Sequence, residues 1–396
     1  MYPFVRHLRI PGSRMKDRIF TNASVVLADE VIEGGTVLAS EDGYIREISE
    51  RPTDTADAID CGGDYLIPGL IELHTDNLEK HTTPRPKTEW PSLAAVVAHD
   101  SQLAAAGITT VFDAIALGSV VESSERVQQL EKMVAGITEA RQKRFLRADH
   151  LLHLRCEVSY PKLKKLFDEF VTHPLLRLVS LMDHTPGQRQ FVSEEQYQIY
   201  YQGKFGLTDD EMAAFTQERK RDQQRYGIEH RRYIVSNCQE RNISLASHDD
   251  ATQDHVDEAI ADGMSIAEFP TTVGAARASH QAGLKVMMGG PNIVRGGSHS
   301  GNVSARELAQ NDVLDIVSSD YIPNSMLHAA FKLTDEEHGF ELPKAIRAIS
   351  KTPAEASNLF DRGEIAIGKR ADLVRVHHTP DLPLVKGVWR EAQRIA

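Results

Sequence analysis

Residues 68–76 read Pro-Gly-Leu-Ile-Glu-Leu-His-Thr-Asp, an apolar run that follows a turn-forming pair and ends in polar side chains. This pattern predicts a short buried strand that begins near Leu70. Side chains two residues apart on a strand point to the same face, so His74 and Asp76 project together. An imidazole and a carboxylate at this spacing suit a divalent cation, although any strand that ends in polar residues gives the same pattern.

The sequence that follows alternates between strand-like and helix-like stretches. Eight candidate strands can be counted, at residues 70–73, 109–112, 151–155, 178–181, 243–246, 265–267, 285–288 and 313–317. Eight parallel strands with intervening helices over roughly 290 residues predict an α/β fold of the TIM-like (β/α)8 barrel type. A doubly wound open sheet is the alternative, but no Gly-x-Gly-x-x-Gly motif follows an early strand.

The two ends of the chain have a different texture, with short strands separated by turn residues. Neither end can form a stable sheet alone, so we expect residues 19–68 and 362–396 to form one small β-domain. The barrel then spans residues 69–361, and residues 1–18 are an N-terminal extension. A highly charged stretch at about 187–235 predicts a helical insertion, either a solvated hairpin or a lid, between the fourth and fifth strands.

Two helix starts are marked by capping residues. Thr208 precedes Glu211 in a Thr-x-x-Glu box, and Thr352 precedes Pro353 and Glu355. A capping threonine with Glu three residues later, or with proline at the first helical position, marks a helix N-terminus. We therefore expect helices to begin directly after Thr208 and after Thr352.

The composition excludes several classes of protein. The 396 residues include 45 Lys and Arg against 57 Asp and Glu, and the net charge of −12 disfavours nonspecific nucleic-acid binding. No stretch approaches the roughly 18 apolar residues of a membrane span, and no apolar segment follows the basic N-terminus as in a secretory signal. Cys61, Cys156 and Cys238 are odd in number and far apart, which predicts a reducing, cytoplasmic environment without a disulfide framework.

Four other predicted strands also lead into side chains that can bind a metal ion. These side chains are Glu157, His184, His248 and Asp320. The C-terminal ends of barrel strands gather at one face, so the four would converge with the polar end of the first strand. Burying such a cluster costs several kcal/mol unless metal or protons compensate, which favours a metal site.

Together these features resemble the amidohydrolase superfamily over nearly the whole chain. The resemblance runs from Asn22-Ala23 to the closing segment at 363–374, Gly-Glu-Ile-Ala-Ile-Gly-Lys-Arg-Ala-Asp-Leu-Val, and includes Thr352-Pro-Ala. Longer strings at 74–81, 182–191 and 289–302 are similar to one family within it. That family releases diphosphate from a ribosyl triphosphate in bacterial phosphonate breakdown.

The resemblance implies a binuclear metallohydrolase with two divalent metal ions, zinc first, with manganese or iron as alternatives. The implied ligands are His74, Asp76, Glu157, His184, His248 and Asp320. Most of the superfamily has a second histidine where this chain has Asp76, and a carbamylated lysine where Glu157 is the natural bridging carboxylate. Both replacements keep oxygen donors in the site.

One ligand assignment stays open. The superfamily usually draws two histidines from its fifth and sixth strands, whereas the strand count places His184 after the fourth, His248 on the fifth and Glu268 on the sixth. Either an earlier strand is missed and His184 and His248 are the pair, or Glu268 is a ligand and His184 faces the substrate. We favour the first interpretation.

The implied substrate is a small anionic polyphosphate. Residues 289–302 read as a glycine-rich loop after the seventh strand, where backbone N–H groups and an arginine can bind phosphate oxygens. The candidate substrate-binding residues are Lys80, His81, Arg189, Arg295, Ser298 and His299. We expect no nucleic-acid or membrane partner, and the sequence is compatible with a homo-oligomer.

The expected reaction is hydrolysis of the triphosphate to a 5-phosphate and diphosphate, with Asp320 accepting the proton of the attacking water. An alternative within the same architecture is a deacetylase, cyclic amidase or deaminase that acts at carbon, which the Arg295 loop and the His-Thr-Asp motif disfavour. A noncatalytic scaffold that has lost its metal is a further alternative. The retention of every candidate donor argues against it.

Overall fold

The computed structural model describes residues 17–118, 125–189, 194–298 and 302–396. Its strands are β1 (Arg18–Val26), β2 (Val31–Ala39), β3 (Ile45–Ser49), β4 (Ile59–Asp60), β5 (Tyr65–Pro68), β6 (Leu70–Thr75), β7 (Ile108–Leu117), β8 (Asp149–Glu157), β9 (Leu176–Met182), β10 (Ser244–His248), β11 (Ile266–Glu268), β12 (Lys285–Gly289), β13 (Ile316–Ser318), β14 (Leu373–His378), β15 (Pro383–Arg390) and β16 (Gln393–Arg394). Its helices are α1 (Asn77–Thr82), α2 (Ser92–Ala105), α3 (Glu125–Gln142), α4 (Leu163–Phe170), α5 (Glu194–Phe205), α6 (Asp209–Glu240), α7 (Gln253–Ala261), α8 (Val273–Gln281), α9 (Gly290–Arg295), α10 (Ala305–Gln310), α11 (Ser325–Lys332), α12 (Leu342–Arg347) and α13 (Lys351–Ala356).

Strands β6 to β13 form a parallel sheet in which each strand pairs with the next one along the chain. The first and last of these strands also meet, because Thr75 and Asp320 form a parallel bridge and the Asp320 N–H donates to the His74 carbonyl at 3.1 Å. The sheet is therefore a nearly closed barrel. The predicted α/β TIM-like (β/α)8 fold is confirmed, and every predicted strand overlaps an observed one.

A buried carboxylate links the two strands that close the barrel. Glu72 Oε1 accepts from the His74 N–H at 2.7 Å and from the Ser318 hydroxyl at 2.8 Å, and its Oε2 accepts from the Ser319 N–H at 2.5 Å. Burial raises the pKa of Glu72 in spite of these bonds. The closing seam is thus held by one side chain as well as by the backbone.

The second sheet combines both ends of the chain. Its order is β16-β15-β14-β5-β1-β2-β3, with β4 beside β1, so the predicted sheet of N- and C-terminal segments is confirmed. Phe20 and Trp389 meet edge to face in its core, with ring centroids 4.8 Å apart. Residues 1–16 of the predicted extension lie outside the described residues, and the domain boundaries stay predictions.

An acidic residue at the start of β8 ties this second sheet to the barrel. Asp149 accepts from Arg362 and Arg370 at 2.8 Å and from Arg390 at 3.1 Å. Burial alone would raise the pKa of Asp149, but the three guanidinium groups hold it far below its usual range. One carboxylate therefore holds three side chains of the C-terminal segment.

The charged insertion forms α5 and the first part of α6. The predicted capping box is confirmed, since the Thr208 N–H donates to Glu211 Oε2 at 2.8 Å and the Thr208 hydroxyl accepts from the Glu211 N–H at 3.4 Å. The later part of α6 buries Ile234 and Cys238 in the main core. A single helix of 32 residues is therefore both part of the insertion and the crossover between β9 and β10.

The other predicted helix start is wrong. Helix α13 begins at Lys351, so Thr352 is already inside it. The Ser350 carbonyl accepts the first helical bond, from the Ala354 N–H at 3.2 Å, and the Ser350 hydroxyl is directed back to the Ile346 carbonyl at 2.6 Å. No helix among the described residues is long and apolar enough to cross a membrane.

Candidate metal centre

Imidazoles and carboxylates meet at the C-terminal ends of the barrel strands. Glu268, the last residue of β11, is fully buried among three histidines. Its Oε1 lies 3.1 Å from His74 Nδ1 and 3.6 Å from His153 Nε2, and its Oε2 lies 2.9 Å from His248 Nδ1. Donor atoms of His74, His153 and Glu268 all lie within 4.8 Å of one another. This group can therefore hold one metal ion.

A second group of donors lies beside the first. His184 Nδ1 is 2.6 Å from Glu157 Oε2, and His184 Nε2 is 3.9 Å from Asp249 Oδ2. The same Asp249 oxygen is 3.4 Å from His248 Nε2. His248 thus faces Glu268 with one ring nitrogen and Asp249 with the other, and it joins the two groups.

Three residues just beyond the ends of barrel strands have backbone conformations that residues other than glycine rarely adopt. The φ angle is 56° at Asp249, 52° at Phe269 and 55° at Asp320. Each residue donates its N–H to a carbonyl of the neighbouring strand, at 2.9 to 3.1 Å. Such conformations cost about 1–3 kcal/mol each and cluster at functional sites. The strand ends are therefore fixed where the donor groups lie.

Burial and pairing shift the pKa values of the first group. Burial alone would raise the pKa of Glu268, but the neighbouring His153 and His74 hold it well below its usual range. Burial lowers the pKa of His153 to about 3. A neutral imidazole and an ionised carboxylate are the forms in which these side chains bind metal.

The second group has an excess of negative charge. Burial and the nearby Glu157 carboxylate raise the pKa of Asp183, which directly precedes His184. Burial would lower the pKa of His184, but Glu157 holds it above its usual value. Buried carboxylates that repel one another are stabilised by a bound cation. The imidazole and carboxylate donors therefore fit divalent metal ions.

Comparisons with known proteins agree with this arrangement. A sequence model of the amidohydrolase family matches residues 198–394. Over 378 residues the chain is 49% identical to alpha-D-ribose 1-methylphosphonate 5-triphosphate diphosphatase from Escherichia coli (strain K12), covering 95% of this chain and 100% of that protein. The chain belongs to this diphosphatase family of the amidohydrolase superfamily.

Solved structures share the fold of this diphosphatase-family chain. N-acetylglucosamine-6-phosphate deacetylase from Pasteurella multocida is 15% identical, with a TM-score of 0.63 over 96% of this chain and 99% of that one. N-isopropylammelide isopropylaminohydrolase from Burkholderia multivorans is 13% identical, with a TM-score of 0.64 over 96% and 98% of the two chains. At these identities the likeness shows the fold alone.

Four of the predicted metal ligands of this family member come together, namely His74, Glu157, His184 and His248. Asp76 and Asp320 are half-buried at the closing seam, where the Asp76 N–H donates to the Asp320 carbonyl at 3.3 Å. Among the described residues, neither carboxylate belongs to the two close donor groups. The ligand roles of all six stay predictions.

The favoured explanation of the open ligand assignment is wrong in one respect. The described residues contain no additional barrel strand before His184, since β9 is the fourth strand of the sheet and His184 follows it. Glu268, on the sixth strand, contacts three histidines, which supports the second interpretation of its role. His184 nevertheless lies beside Glu157, so both residues are candidate ligands.

Sequence reasoning missed two residues of the site. His153 is four residues before Glu157 on the same predicted strand, so an even spacing placed both side chains on one face. Asp249 directly follows His248, beyond the predicted end of the strand. The first could have been found from strand periodicity, but the second depends on a left-handed turn that the sequence does not announce.

The predicted substrate-binding residue Arg189 is bound within the protein. It is buried, and its Nη2 lies 2.8 Å from Glu258 Oε2, while its Nη1 contacts Asp250 and the His248 carbonyl. The guanidinium holds the segment that follows β10. This position disfavours the predicted role in phosphate binding.

Lys80 and His81 lie on α1, directly after the first strand. The Lys80 ammonium group donates to the Tyr321 carbonyl and lies 5.1 Å from the centre of the Tyr321 ring. His81 Nε2 is 3.0 Å from Gln102 Oε1. Lys80 is exposed and His81 is half-buried, and their contact with substrate stays a prediction.

The predicted glycine-rich loop at 289–302 begins as a helix instead. Helix α9 spans Gly290–Arg295, with a proline in its first turn, and ends at Gly296, where φ is 81°. Arg295 is therefore the last helical residue, and it is exposed. Ser298 is half-buried, and His299 lies outside the described residues.

A separate buried group lies on the other side of β7 and β8, against α2. Asp113 Oδ1 is 2.8 Å from His99 Nε2, and its Oδ2 is 2.8 Å from His150 Nδ1. His150 Nε2 is in turn 3.3 Å from Asp100 Oδ1. Asn77 links this group to α1, since its side-chain nitrogen lies 3.1 Å from His99 Nδ1. Every polar atom named here has a partner, so the group is a complete hydrogen-bond network.

Proposed function

We propose that this protein hydrolyses alpha-D-ribose 1-methylphosphonate 5-triphosphate to the 5-phosphate and diphosphate, in phosphonate breakdown. The observation that carries the proposal is the 49% identity over the full length of the Escherichia coli diphosphatase. The convergence of imidazoles and carboxylates at the barrel mouth supports a hydrolytic reaction at that place.

The proposed cofactors are two divalent metal ions, with zinc first and manganese or iron as alternatives. The proposed ligands are those predicted, His74, Asp76, Glu157, His184, His248 and Asp320, and the contacts of Glu268, His153 and Asp249 make these three further candidates. Bound divalent ions lower the pKa of an attacking water and offset charge on phosphate oxygens.

The protein itself supplies an acceptor for the proton of that water. Asp320 is half-buried, and its backbone is held in the left-handed region by hydrogen bonds to the first barrel strand. In the proposed reaction the water oxygen bonds to a phosphorus of the α–β linkage, and its proton passes to the Asp320 carboxylate. The bridging P–O bond breaks, so that diphosphate leaves when the water attacks the α phosphorus and the 5-phosphate leaves when it attacks the β phosphorus.

Hydrolysis at carbon has less support. The deacetylase and the isopropylaminohydrolase share the fold at 15% and 13% identity, which carries no information on the substrate. A noncatalytic scaffold would not need the donor groups that the described residues retain. A panel of triphosphates and acyl amides separates these functions, and amide turnover without diphosphate release would contradict the proposal.

The decisive experiment is phosphorus NMR of the products formed from the ribosyl triphosphate in oxygen-18 water. We expect one diphosphate for each ribosyl 5-phosphate, with the label in the monophosphate for attack at the α phosphorus and in diphosphate for attack at the β phosphorus. Release of inorganic phosphate alone, or no reaction after metal supplementation, would contradict the proposed function.

A further inference from the structure

Arg155 lies on β8 between members of the two donor groups. Side chains alternate along a strand, so residues 153, 155 and 157 share one face, while Leu154 and Cys156 pack in the hydrophobic core. On the shared face, His153 Nε2 is 3.6 Å from Glu268 Oε1, and Glu157 Oε2 is 2.6 Å from His184 Nδ1. The guanidinium of Arg155 is therefore carried by the wall of the candidate metal centre.

Among the described side chains, Arg155 has no hydrogen-bond or ion-pair partner. Arg155 as a whole is half-buried, and its Nε atom is fully buried without a hydrogen bond. Every other buried or half-buried arginine that the structure describes forms an ion pair with a carboxylate of this chain; these are Arg189, Arg219, Arg231, Arg347, Arg362, Arg370, Arg375 and Arg390. Arg155 is thus the exception among the interior arginines.

A partly buried cation without a partner is costly, because burial removes part of its hydration and no protein group replaces it. A bound anion removes that cost when it accepts from the guanidinium. The planar guanidinium matches the oxygens of a phosphoryl group, and two parallel hydrogen bonds form from its fork. The position of Arg155 beside the donor groups suits a phosphoryl group close to the reacting linkage.

A second arginine near the site supports this assignment by contrast. Gln223 Nε2 on α6 reaches Asp183 Oδ2 at 3.4 Å, so this helix lies against the site. One turn earlier, Arg219 is buried, but its Nη2 is 2.8 Å from Asp222 Oδ2. The charge of Arg219 is therefore offset within the protein, whereas the charge of Arg155 is available.

We propose that Arg155 is a substrate-binding residue, which holds a phosphoryl group of the polyphosphate at the wall between the two donor groups. This inference rests on the proposed function for the identity of the anion. It adds to the predicted phosphate contacts an interior cation that the sequence motifs did not indicate. It also gives Arg155 the phosphate-binding role that was predicted for Arg189, which is ion-paired within the protein.

The test compares R155Q and R155K with the wild type and with R221Q, which removes an exposed arginine of α6. Calorimetry measures the binding of inorganic triphosphate to the metal-loaded proteins, and kinetics measure KM and kcat for the ribosyl triphosphate. We expect R155Q to raise Kd and KM by about 10- to 100-fold. R155K should recover part of this loss, because lysine keeps the charge without the fork. R221Q should bind as the wild type does.

Metal content and thermal midpoint are measured on the same samples, and we expect both to be unchanged in R155Q. Binding of triphosphate by R155Q with the affinity of the wild type would overturn the inference. If R155Q does not fold, a crystal structure of the wild type with inorganic triphosphate decides. Phosphate oxygens within about 3 Å of the Arg155 nitrogens support the inference, and a triphosphate bound elsewhere overturns it.

The two proposals can fail separately. If triphosphate binds through Arg155 but the protein never releases diphosphate, the anion site is supported and the proposed function is contradicted. Diphosphate release with an unchanged KM in R155Q would keep the function and remove the role of Arg155.

Discussion

Asp320 has a backbone conformation that constrains what can replace it. Its φ of 55° lies in the left-handed region, where asparagine is tolerated nearly as well as aspartate. An aspartate-to-asparagine change therefore removes the carboxylate charge and leaves the strand end in place. Asp312 is the matched control, because its φ is 58° and its side chain is 80% exposed.

We expect D320N to lower kcat by about 10²- to 10⁴-fold, since the attacking water loses its proton acceptor. The thermal midpoint should stay near that of the wild type. The measurement is the rate of diphosphate release, with metal content determined on the same preparation. D312N should have wild-type activity, and equal activity of D320N and D312N would remove Asp320 from the mechanism.

Glu268 allows a test of the ligand assignment that the sequence left open. We expect E268Q to weaken metal affinity by about 10- to 100-fold, because the carboxylate that orients His74 and His248 becomes a neutral amide. Metal titration followed by elemental analysis measures the change, with the exposed E229Q on α6 as control. Full metal occupancy at unchanged affinity in E268Q would exclude Glu268 as a ligand or an orienting group.

At the scale of single residues, the sequence indicates candidate metal-binding side chains where an apolar strand pattern ends in polar residues. His74, Glu157 and His248 follow from the polar ends of apolar runs, and the structure brings them close to other donors. Burial and pairing are not local properties, so the sequence could not separate the ion-paired Arg189 from Arg155. In the sequence, Arg155 is the last residue of a predicted strand and Arg189 lies in the segment after one, and neither position shows whether the arginine has an ion-pair partner.

Between elements, the Asp149 cluster joins the C-terminal segment to the barrel. We expect D149N to lower the free energy of unfolding by about 3 kcal/mol, near the low end for a broken buried pair because the Asp149 side chain is 29% exposed. Urea denaturation measures the change. D29N is the control, because Asp29 is 89% exposed in its pair with Arg347 and should contribute less than about 1 kcal/mol. Equal effects of the two changes would contradict the structural role of Asp149.

The buried network behind β7 and β8 gives a pH dependence of stability. Burial alone would lower the pKa of His150, but Asp113 and Asp100 raise it to about 9. His99 also faces Asp113, and Arg147 pairs with Asp100 at 3.2 Å. The pKa of a histidine in the unfolded chain is about 6.5. Between about pH 6.5 and 9, the folded protein therefore holds a proton on His150 that the unfolded chain has released.

The stabilisation from His150 is therefore complete below about pH 6.5 and is lost as the pH rises through about 9. Urea midpoints measured from pH 6 to 9.5 should fall more steeply for the wild type than for H150Q, which carries no titrating group at this position. Parallel curves for the two proteins would show that His150 is not charged in the folded state.

Elements with strong local signals could be predicted, and those set by tertiary contacts could not. The Thr208 capping box is a local signal, and α6 begins where it indicates. The start of α13 depends on Ser350, which the preceding α12 already positions. Likewise the glycines after β12 suggested a loop, but a proline in the first turn and a left-handed Gly296 make that segment a short helix.

At the scale of the whole molecule, the alternation of strands and helices was sufficient to predict the barrel. The eight predicted strands overlap β6 to β13, and the terminal segments share a second sheet. The side-chain contacts across the barrel mouth could not be predicted, because they join residues as far apart in the sequence as His74 and Glu268. Strand order places such residues near each other, but only packing decides which atoms touch.

The closing seam has a consequence for how the protein loses activity on heating. Among the described residues, the backbones of His74, Asp76 and Asp320 and the buried Glu72 carboxylate join the strands that meet there, without a continuous ladder of backbone hydrogen bonds. Any local parting of β6 from β13 would carry the proposed proton acceptor away from its neighbours while the rest of the barrel stays intact. Thermal inactivation should therefore begin below the temperature of global unfolding, by local separation of the first and last strands of the barrel.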